Sequence, residues 1–229
     1  HAFSLGDGAS IAHVGGFAGY QHTQRNFNDK YGTDGSTDSV AGGLYAAWLH
    51  RTGWYVDGAL KAQYFDSKYD AAGDRGSFNA YGFGFELEAG RKVDVGNAWF
   101  VEPALQAAYT HIFVEDYKTR RGLNVSNTDS DIFRLGASVR FGRTFDLGGH
   151  GQLQPYLSAG VDWVSSLGGA VRVSDARSQP DVDGVRARAG VGVTWQMSAN
   201  DQLYFSYEAA FGEKYQVPWS VNLGYRRRF

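Results

Sequence analysis

Long stretches of this sequence alternate between apolar residues and small or polar ones. In residues 78–92, aromatic and aliphatic side chains take every second position from Tyr81 to Ala89, with Gly and Glu between them. The same period of two returns in 54–64, 99–110, 133–144 and 185–197. Because successive side chains of a β-strand point to opposite faces, this period predicts strands with one apolar and one polar face. Helical patterning is scarce, so the sequence predicts an all-β fold.

Less regular stretches complete a set of about ten predicted strands. These additional strands span 10–25, 38–50, 153–166, 202–212 and 217–229. The faces of 10–25 stay ambiguous, since Phe17 and Tyr20 have opposite parity. The predicted strands run to about 11–15 residues, against about 5–6 in ordinary globular sheets. A tilted strand needs about 9–11 residues to cross a bilayer, so this length favours a membrane barrel.

The predicted turns alternate in length along the chain. Short turns are expected near 51–53, 94–98, 147–151 and 198–201. Long polar loops are expected near 27–37, 66–77, 114–131 and 167–184, whereas 213–216 is short although it falls on the long side. Outer-membrane barrels have short periplasmic turns and longer outer loops, so the C-terminus is predicted on the short-turn side.

The polar faces indicate which side of the sheet meets lipid. Charged residues such as Glu88 and Arg188 are interleaved there with Gly and Ala, and the chain contains 31 glycines. Interior glycine weakens a strand, which makes such a face unusual for the solvent side of a soluble sheet. Trp and Tyr favour the membrane boundary, and they recur near strand ends on the apolar face at Trp48, Trp54, Tyr64, Trp99, Trp163, Trp195 and Trp219. The apolar face is therefore predicted to point outward; a soluble sandwich or jelly roll is the alternative.

Composition removes several classes of function. The absence of cysteine excludes disulfide scaffolds, thiolate metal sites and cysteine nucleophiles. A balance of 22 basic and 24 acidic residues argues against a nucleic-acid partner. The six histidines show no metal-ligand spacing and no G-x-S-x-G motif occurs, so no metal, cofactor or enzymatic activity is predicted. No signal-peptide pattern opens the chain at His1, and we expect one domain over 1–229, mature or trimmed.

The C-terminal segment 219–229, WSVNLGYRRRF, ends in Phe after alternating bulky residues and is similar to the terminal β-signal of bacterial outer-membrane proteins. The whole chain resembles the translocator domain of monomeric, pertactin-like autotransporters, the type V secretion family. The matching segments, in family order, are VGGFAGYQHT (14–23), GWYVDGALKAQYF (53–65), ELEAGRK (86–92), WFVEPALQ (99–106), FRLGASV (133–139), QPYLSAG (154–160), GVRARAGVGV (184–193) and VNLGYRRRF (221–229).

This resemblance implies a transmembrane antiparallel up-and-down β-barrel of twelve strands, about ten of them represented here. In this resemblance, residues 14–23 correspond to the third strand of the family. The first strand, most of the second and the pore helix are then missing from the sequence. A true ten-stranded barrel is the alternative. The implied function is to anchor an N-terminal passenger in the outer membrane of a Gram-negative bacterium and to mediate its export.

The resemblance also implies partners and an assembly signal. The partners are outer-membrane lipid and lipopolysaccharide, the protein's own passenger with its linker helix, and the barrel-assembly machinery. That machinery is expected to recognise the last strand through Gly224, Tyr225 and Phe229. Arg227 departs from the family, which carries an aromatic residue there.

One lumen polar cluster is predicted from the polar faces, formed by Glu88, Glu102 and Arg134. Such an acid–arginine–acid group would brace the lumen and contact the linker helix or a passing polypeptide. The alternative is wall electrostatics alone, because charges in a low-dielectric wall need partners. Self-cleavage of the passenger, known in some autotransporters, would need a junction segment that this sequence does not contain.

Two rival functions stay open. An omptin-like outer-membrane protease, with ten strands, would need an acidic pair and an Asp–His pair at the outer rim. The candidate residues for that rim site are His111, Glu115, Asp116, Asp129 and Asp131. The second rival is a porin or adhesin barrel without a passenger.

Overall fold

The computed structural model describes residues 2–5, 8–26, 34–71, 74–173, 176–178, 183–214 and 216–227. These form one 3₁₀ turn, Gly148–His150, and strands β1 (Ala2–Leu5), β2 (Ser10–Asn26), β3 (Asp34–His50), β4 (Trp54–Ala71), β5 (Asp74–Arg91), β6 (Val93–Gly96), β7 (Trp99–Val114), β8 (Tyr117–Lys118), β9 (Asn124–Asn127), β10 (Ser130–Arg143), β11 (Phe145–Asp146), β12 (Gln152–Gly168), β13 (Val171–Val173), β14 (Ala176–Ser178), β15 (Gly184–Gln196), β16 (Asp201–Gly212) and β17 (Val217–Arg227). Within those ranges, no helix is long and apolar enough to span a membrane.

Ten long strands form one curled antiparallel sheet in which each strand pairs with the next long strand along the chain. They are β2, β3, β4, β5, β7, β10, β12, β15, β16 and β17, and they range from 11 to 18 residues. The predicted all-β, up-and-down barrel topology is confirmed. Over the described ranges β1 pairs with β2 alone and β17 with β16 alone, so this part of the sheet has two edges.

The apolar face of the curled sheet is exposed, and the opposite face, called here the inner face, carries the charges. Phe83, Leu105 and Val191 are 50%, 66% and 47% exposed on the outward face. By contrast, the Arg188 and Glu88 side chains on the inner face are 13% and 18% exposed. A soluble sandwich would bury the first set and expose the second, so the predicted outward direction of the apolar face is confirmed.

The segment 66–77, predicted as a long loop, is instead the far end of a hairpin. β4 continues to Ala71 and β5 starts at Asp74, with ladder pairs as far out as Asp70 opposite Arg75. Residues 72 and 73 lie outside the described ranges. The alternation disappears in this segment because both faces of a sheet beyond the bilayer meet water, while backbone pairing continues. Similarly, β2 reaches Asn26 and β3 starts at Asp34.

Two other predicted loops, 114–131 and 167–184, contain short strands. They join into a separate sheet of order β14-β13-β9-β8 at the end of the wall called here the loop end. Tyr117 of β8 stacks on Phe78 of β5, with ring centroids 5.1 Å apart. Burial and a hydrogen bond with Tyr69 raise the pKa of the Tyr117 phenol. The small sheet therefore rests on inner-face residues of the β4–β5 hairpin.

The opposite end of the wall, called the short-turn end, holds the tight connections. Gly53 joins β3 to β4 with φ +88°, a left-handed conformation that favours glycine. A Cβ at this position would lie 2.1 Å from the carbonyl oxygen of Lys92. Together these turns hold neighbouring strands in fixed register, which places the inner-face side chains described below.

Candidate functional site

Strand register brings four charged or polar inner-face side chains into two rows separated by the row of Ala104. In one row Glu88 of β5 lies opposite Gln106 of β7. In the other, Glu102 of β7 lies opposite Arg140 of β10. Because residues directly opposite in an antiparallel pair have Cβ atoms about 4.5–5.5 Å apart, these side chains can meet.

Arg140 is the centre of the resulting network. Its two terminal nitrogens each lie 3.1 Å from a carboxylate, one belonging to Glu88 and the other to Glu102. The Tyr55 hydroxyl donates to Glu88 at 2.7 Å and lies 3.1 Å from Glu102. One guanidinium and one phenol therefore hold two largely buried carboxylates together, leaving the group with one excess negative charge.

A glycine makes room for the tyrosine of this network. Gly90 of β5 lies opposite Tyr55 of β4, and a Cβ at Gly90 would lie 2.5 Å from the Tyr55 hydroxyl oxygen. The ring thus lies flat over the glycine instead of extending into the bore. This position brings the hydroxyl to the two carboxylates.

A second group of inner-face charges continues the network across the wall. Nε of Arg188 lies 2.7 Å from the Asp162 carboxylate, whose side chain is only 4% exposed, and another guanidinium nitrogen lies 3.5 Å from Glu208. Arg188 also donates to Gln106 at 2.9 Å, and Gln106 donates to Glu88 at 2.5 Å. Gly136 leaves space here, since a Cβ there would lie 2.5 Å from an Asp162 oxygen.

The predicted cluster needs one correction. Glu88 and Glu102 do come together, but their arginine is Arg140 and not Arg134. Arg134 lies six residues further along β10 toward the loop end, and its guanidinium lies 2.7 Å from Glu86. The error arose because parity assigns a residue to a face without giving its level along the strand, which only the register supplies.

Sequence reasoning therefore missed six members of the network. They are Tyr55, Gln106, Arg140, Asp162, Arg188 and Glu208. All six have the inner-face parity that the alternation predicts. β7 and β10 are joined by the long segment between Val114 and Ser130, so no short turn in the sequence indicates that Glu102 lies opposite Arg140.

Two cavities lie against this network on the inner face. One of about 640 Å³ opens at the short-turn end and is lined by residues that include Tyr55, Asp57, Glu88, Glu102 and Arg140. The other, of about 710 Å³, is lined by residues that include Arg140, Tyr156, Arg188 and Glu208. Donors, acceptors and both signs of charge thus border open space, which is chemistry suited to contacts with a polypeptide. In the described part of the chain, no three His, Asp or Glu side chains are grouped to hold a metal ion.

Of the residues of the protease alternative, His111 and Asp131 lie at the loop end on the outward face, whereas Glu115, Asp116 and Asp129 lie in the connections between strands. Nδ1 of His111 lies 2.7 Å from Asp131, directly opposite in register, and Tyr109 donates to the same carboxylate at 2.5 Å. These positions share the outward parity of Leu105. A second group, Tyr20, His22 and Asp38, repeats the same contacts on β2 and β3. The repeated geometry points the His–Asp pairs away from the bore.

The predicted assembly signal is described in part. Gly224 lies opposite Tyr204, whose ring covers it so closely that a Cβ would lie 2.1 Å from the ring. Tyr225 points outward and donates to Asp201, and the Arg227 guanidinium lies 3.8 Å from the same carboxylate. Phe229 lies outside the described residues.

A family model described as the autotransporter beta-domain matches residues 6–208. The pertactin autotransporter of Bordetella parapertussis is 33% identical over 237 residues, which cover 98% of this chain and 25% of the relative. The BrkA autotransporter of Bordetella pertussis is 30% identical, covering 95% of this chain and 22% of the relative. The chain thus spans about a quarter of the length of these relatives.

Solved structures show the same architecture. The crystal structure of the BrkA beta domain superposes with a TM-score of 0.82 at 27% identity, covering 100% of this chain and 87% of that one. The transport unit of AIDA-I from Escherichia coli superposes with a TM-score of 0.84 at 16% identity, covering 100% and 79%. The second likeness concerns the fold alone.

Proposed function

The chain belongs to the autotransporter β-domain family, whose members are outer-membrane translocators of Gram-negative bacteria, and we propose that its charged inner face contacts the passenger during export. The observation that carries this proposal is the arrangement of Arg140 and Arg188 with their carboxylates beside open cavities. An unfolded polypeptide exposes backbone donors and acceptors, and a wall with both kinds of group can exchange hydrogen bonds with it. The apolar outward face anchors the domain in the bilayer.

The domain limits and the finer partners are part of the same proposal. Residues 1–229 belong to one translocator unit, and the two sheet edges are closed in the membrane, because lipid does not tolerate open edges. The linker helix occupies the bore beside the Arg140 network, lipopolysaccharide surrounds the loop end, and the barrel-assembly machinery inserts the wall.

The proposed role involves no catalysis. His111 and Asp131, the Asp–His pair of the rival protease site, point outward and away from the cavities of the inner face, which supports the non-enzymatic alternative. The porin alternative is addressed by the experiment below, because a barrel without a passenger has nothing to cross-link.

Photo-crosslinking from neighbouring residues tests passenger contact. Ser158 and Leu157 are adjacent in β12 and lie on the inner and outward faces, with Leu157 59% exposed. A photoreactive side chain at either position would be placed in the full-length protein, whose passenger is stalled during export by a folded domain. We expect passenger cross-links from position 158 and none from 157. Equal yields, or none from 158 in a correctly inserted protein, would rule out the proposal.

Deletion of Phe229 is expected to lower the amount of barrel in the outer membrane without reducing synthesis. The reason is the resemblance of residues 219–229 to a terminal assembly signal, in which the last aromatic residue is read by the insertion machinery. Heat-modifiable gel mobility of the membrane fraction measures assembly, and whole-cell immunoblots measure synthesis. Substitution of Arg226 by Gln, on the inner parity of the same strand, is the control. Equal assembly of the deletion and the wild type would contradict the signal.

A further inference from the structure

Two matching tryptophan–arginine pairs stand on the outward face at the short-turn end. Trp54 starts β4 directly opposite Arg91, the last residue of β5. Trp99 starts β7 directly opposite Arg143, the last residue of β10. In both pairs the guanidinium carbon lies over the indole, 5.5 Å from the Trp54 ring centroid and 5.6 Å from that of Trp99. The same register places the same chemistry at two sites on the wall.

Neither guanidinium is neutralised within the described part of the chain. The ion pairs found there include neither Arg91 nor Arg143. Among the described residues, the one hydrogen-bond acceptor of Arg91 is the carbonyl oxygen of Thr52, at 3.4 Å. Arg143 lies between Trp99 and Phe145, 5.2 Å from the Phe145 centroid, and its buried Nε–H lacks an acceptor among the described residues. Each cation is therefore positioned by aromatic rings and retains its charge for another partner.

The depth of these pairs in the membrane follows from their tryptophan side chains. Trp side chains favour the boundary between hydrocarbon and headgroups, and Trp54 and Trp99 are 50% and 37% exposed. Both pairs are therefore placed at the membrane boundary on the short-turn side of the wall.

We propose that the Trp54–Arg91 and Trp99–Arg143 pairs are binding sites for the phosphodiester headgroups of phospholipids in the leaflet on the short-turn side. A guanidinium presents a planar fork of N–H donors that matches phosphate oxygens in bidentate geometry. Because one face of the guanidinium rests on the indole ring, the plane is held in one orientation while the N–H donors along its edge stay free to bind an anion. Headgroup phosphate is the anion present at this level. This inference rests on the proposed membrane insertion.

Carbon–phosphorus dipolar recoupling by solid-state NMR tests the sites. Protein isolated from outer membranes, with arginine labelled at Cζ, would be reconstituted in vesicles of phosphatidylethanolamine and phosphatidylglycerol. A bidentate contact places Cζ about 4 Å from phosphorus, since charge-assisted N–O distances are about 2.7–2.9 Å. We expect phosphorus to dephase part of the arginine signal, and Arg91→Gln with Arg143→Gln to lose that part. The control, Arg75→Gln with Arg120→Gln, removes two exposed loop-end arginines and should retain it.

Equal dephasing in the wild type and the Arg91–Arg143 double variant would overturn the inference, as would equal loss in the control. Heat-modifiable mobility is measured on every sample. If the glutamine variant does not insert, the variant Arg91→Lys with Arg143→Lys replaces it. This variant keeps both charges but lacks the two labelled guanidinium carbons, so it should lose the same part of the dephased signal. A wild type that fails to insert would instead contradict the proposed membrane role, so the two failures are distinguishable.

Discussion

Replacement of Arg188 by Met is expected to lower the free energy of unfolding by about 3–5 kcal/mol, because breaking a buried ion pair leaves an uncompensated charge. The charge left behind is Asp162, whose side chain is 4% exposed and lies 2.7 Å from the Arg188 guanidinium. Met fills much of the arginine volume, so lost packing contributes little. Chemical unfolding of the inserted barrel, followed by tryptophan fluorescence, gives the free energy difference.

Two control variants separate buried charge from the substitution itself. Arg134→Met removes an arginine from the same face, but its partner Glu86 is half exposed, so a loss of only about 0–1 kcal/mol is expected. Adding Asp162→Asn to Arg188→Met should recover part of the stability, since no carboxylate then remains unpaired. Equal losses for Arg134→Met and Arg188→Met would contradict the network.

Phe85→Arg is expected to destabilise the inserted barrel by about 2–4 kcal/mol, the usual cost of a lipid-facing arginine near the bilayer midplane. Phe85 lies on the outward face in the middle of β5 and is 45% exposed. In a bilayer this exposed surface meets acyl chains, which cannot solvate a guanidinium. Unfolding in phospholipid vesicles measures the effect.

The adjacent residue provides the control for this prediction. Glu86→Gln removes a charge from the inner face, where the Glu86 side chain is 53% exposed to the bore. Its ion pair with Arg134 is accessible to solvent, so a loss of only about 0–1 kcal/mol is expected. A larger loss for Glu86→Gln than for Phe85→Arg would reverse the assignment of the two faces.

The strands were predictable where one face meets lipid and the other does not. Residues 78–92 alternate because bilayer and bore impose different chemistry on the two faces of β5. Beyond the bilayer this difference ends, and Asp66–Asp70 reads as a loop although β4 continues through it. The ambiguous parity of 10–25 has a local cause: Phe17 lies on the inner face, close enough to Gly43 to occupy the space of a Cβ, while Tyr20 points outward to Asp38.

The composition of the inner face was predictable, but the partnerships on it were not. Glu88 and Glu102 were placed together because adjacent strands with the same parity suffice for that inference. Selecting Arg140 over Arg134 required the position of each arginine along β10 relative to Glu102 on β7. Only the register of the two strands gives that position. The Arg188–Asp162 pair joins β15 to β12 diagonally: the register places Arg186 opposite Asp162 and Arg188 opposite Gly160, so this pair depends on side-chain direction as well.

The direction of the two faces is tested most directly by spin labels placed one at a time along β12. The chain has no native cysteine, so labels at 157, 158, 159, 160 and 161 report without background. In phospholipid bilayers, collision with oxygen reports acyl chains and collision with a water-soluble nickel chelate reports an aqueous bore. We predict oxygen maxima at Leu157, Ala159 and Val161, with nickel maxima at Ser158 and Gly160. The opposite phase, or no alternation, would contradict an outward apolar wall around a polar bore.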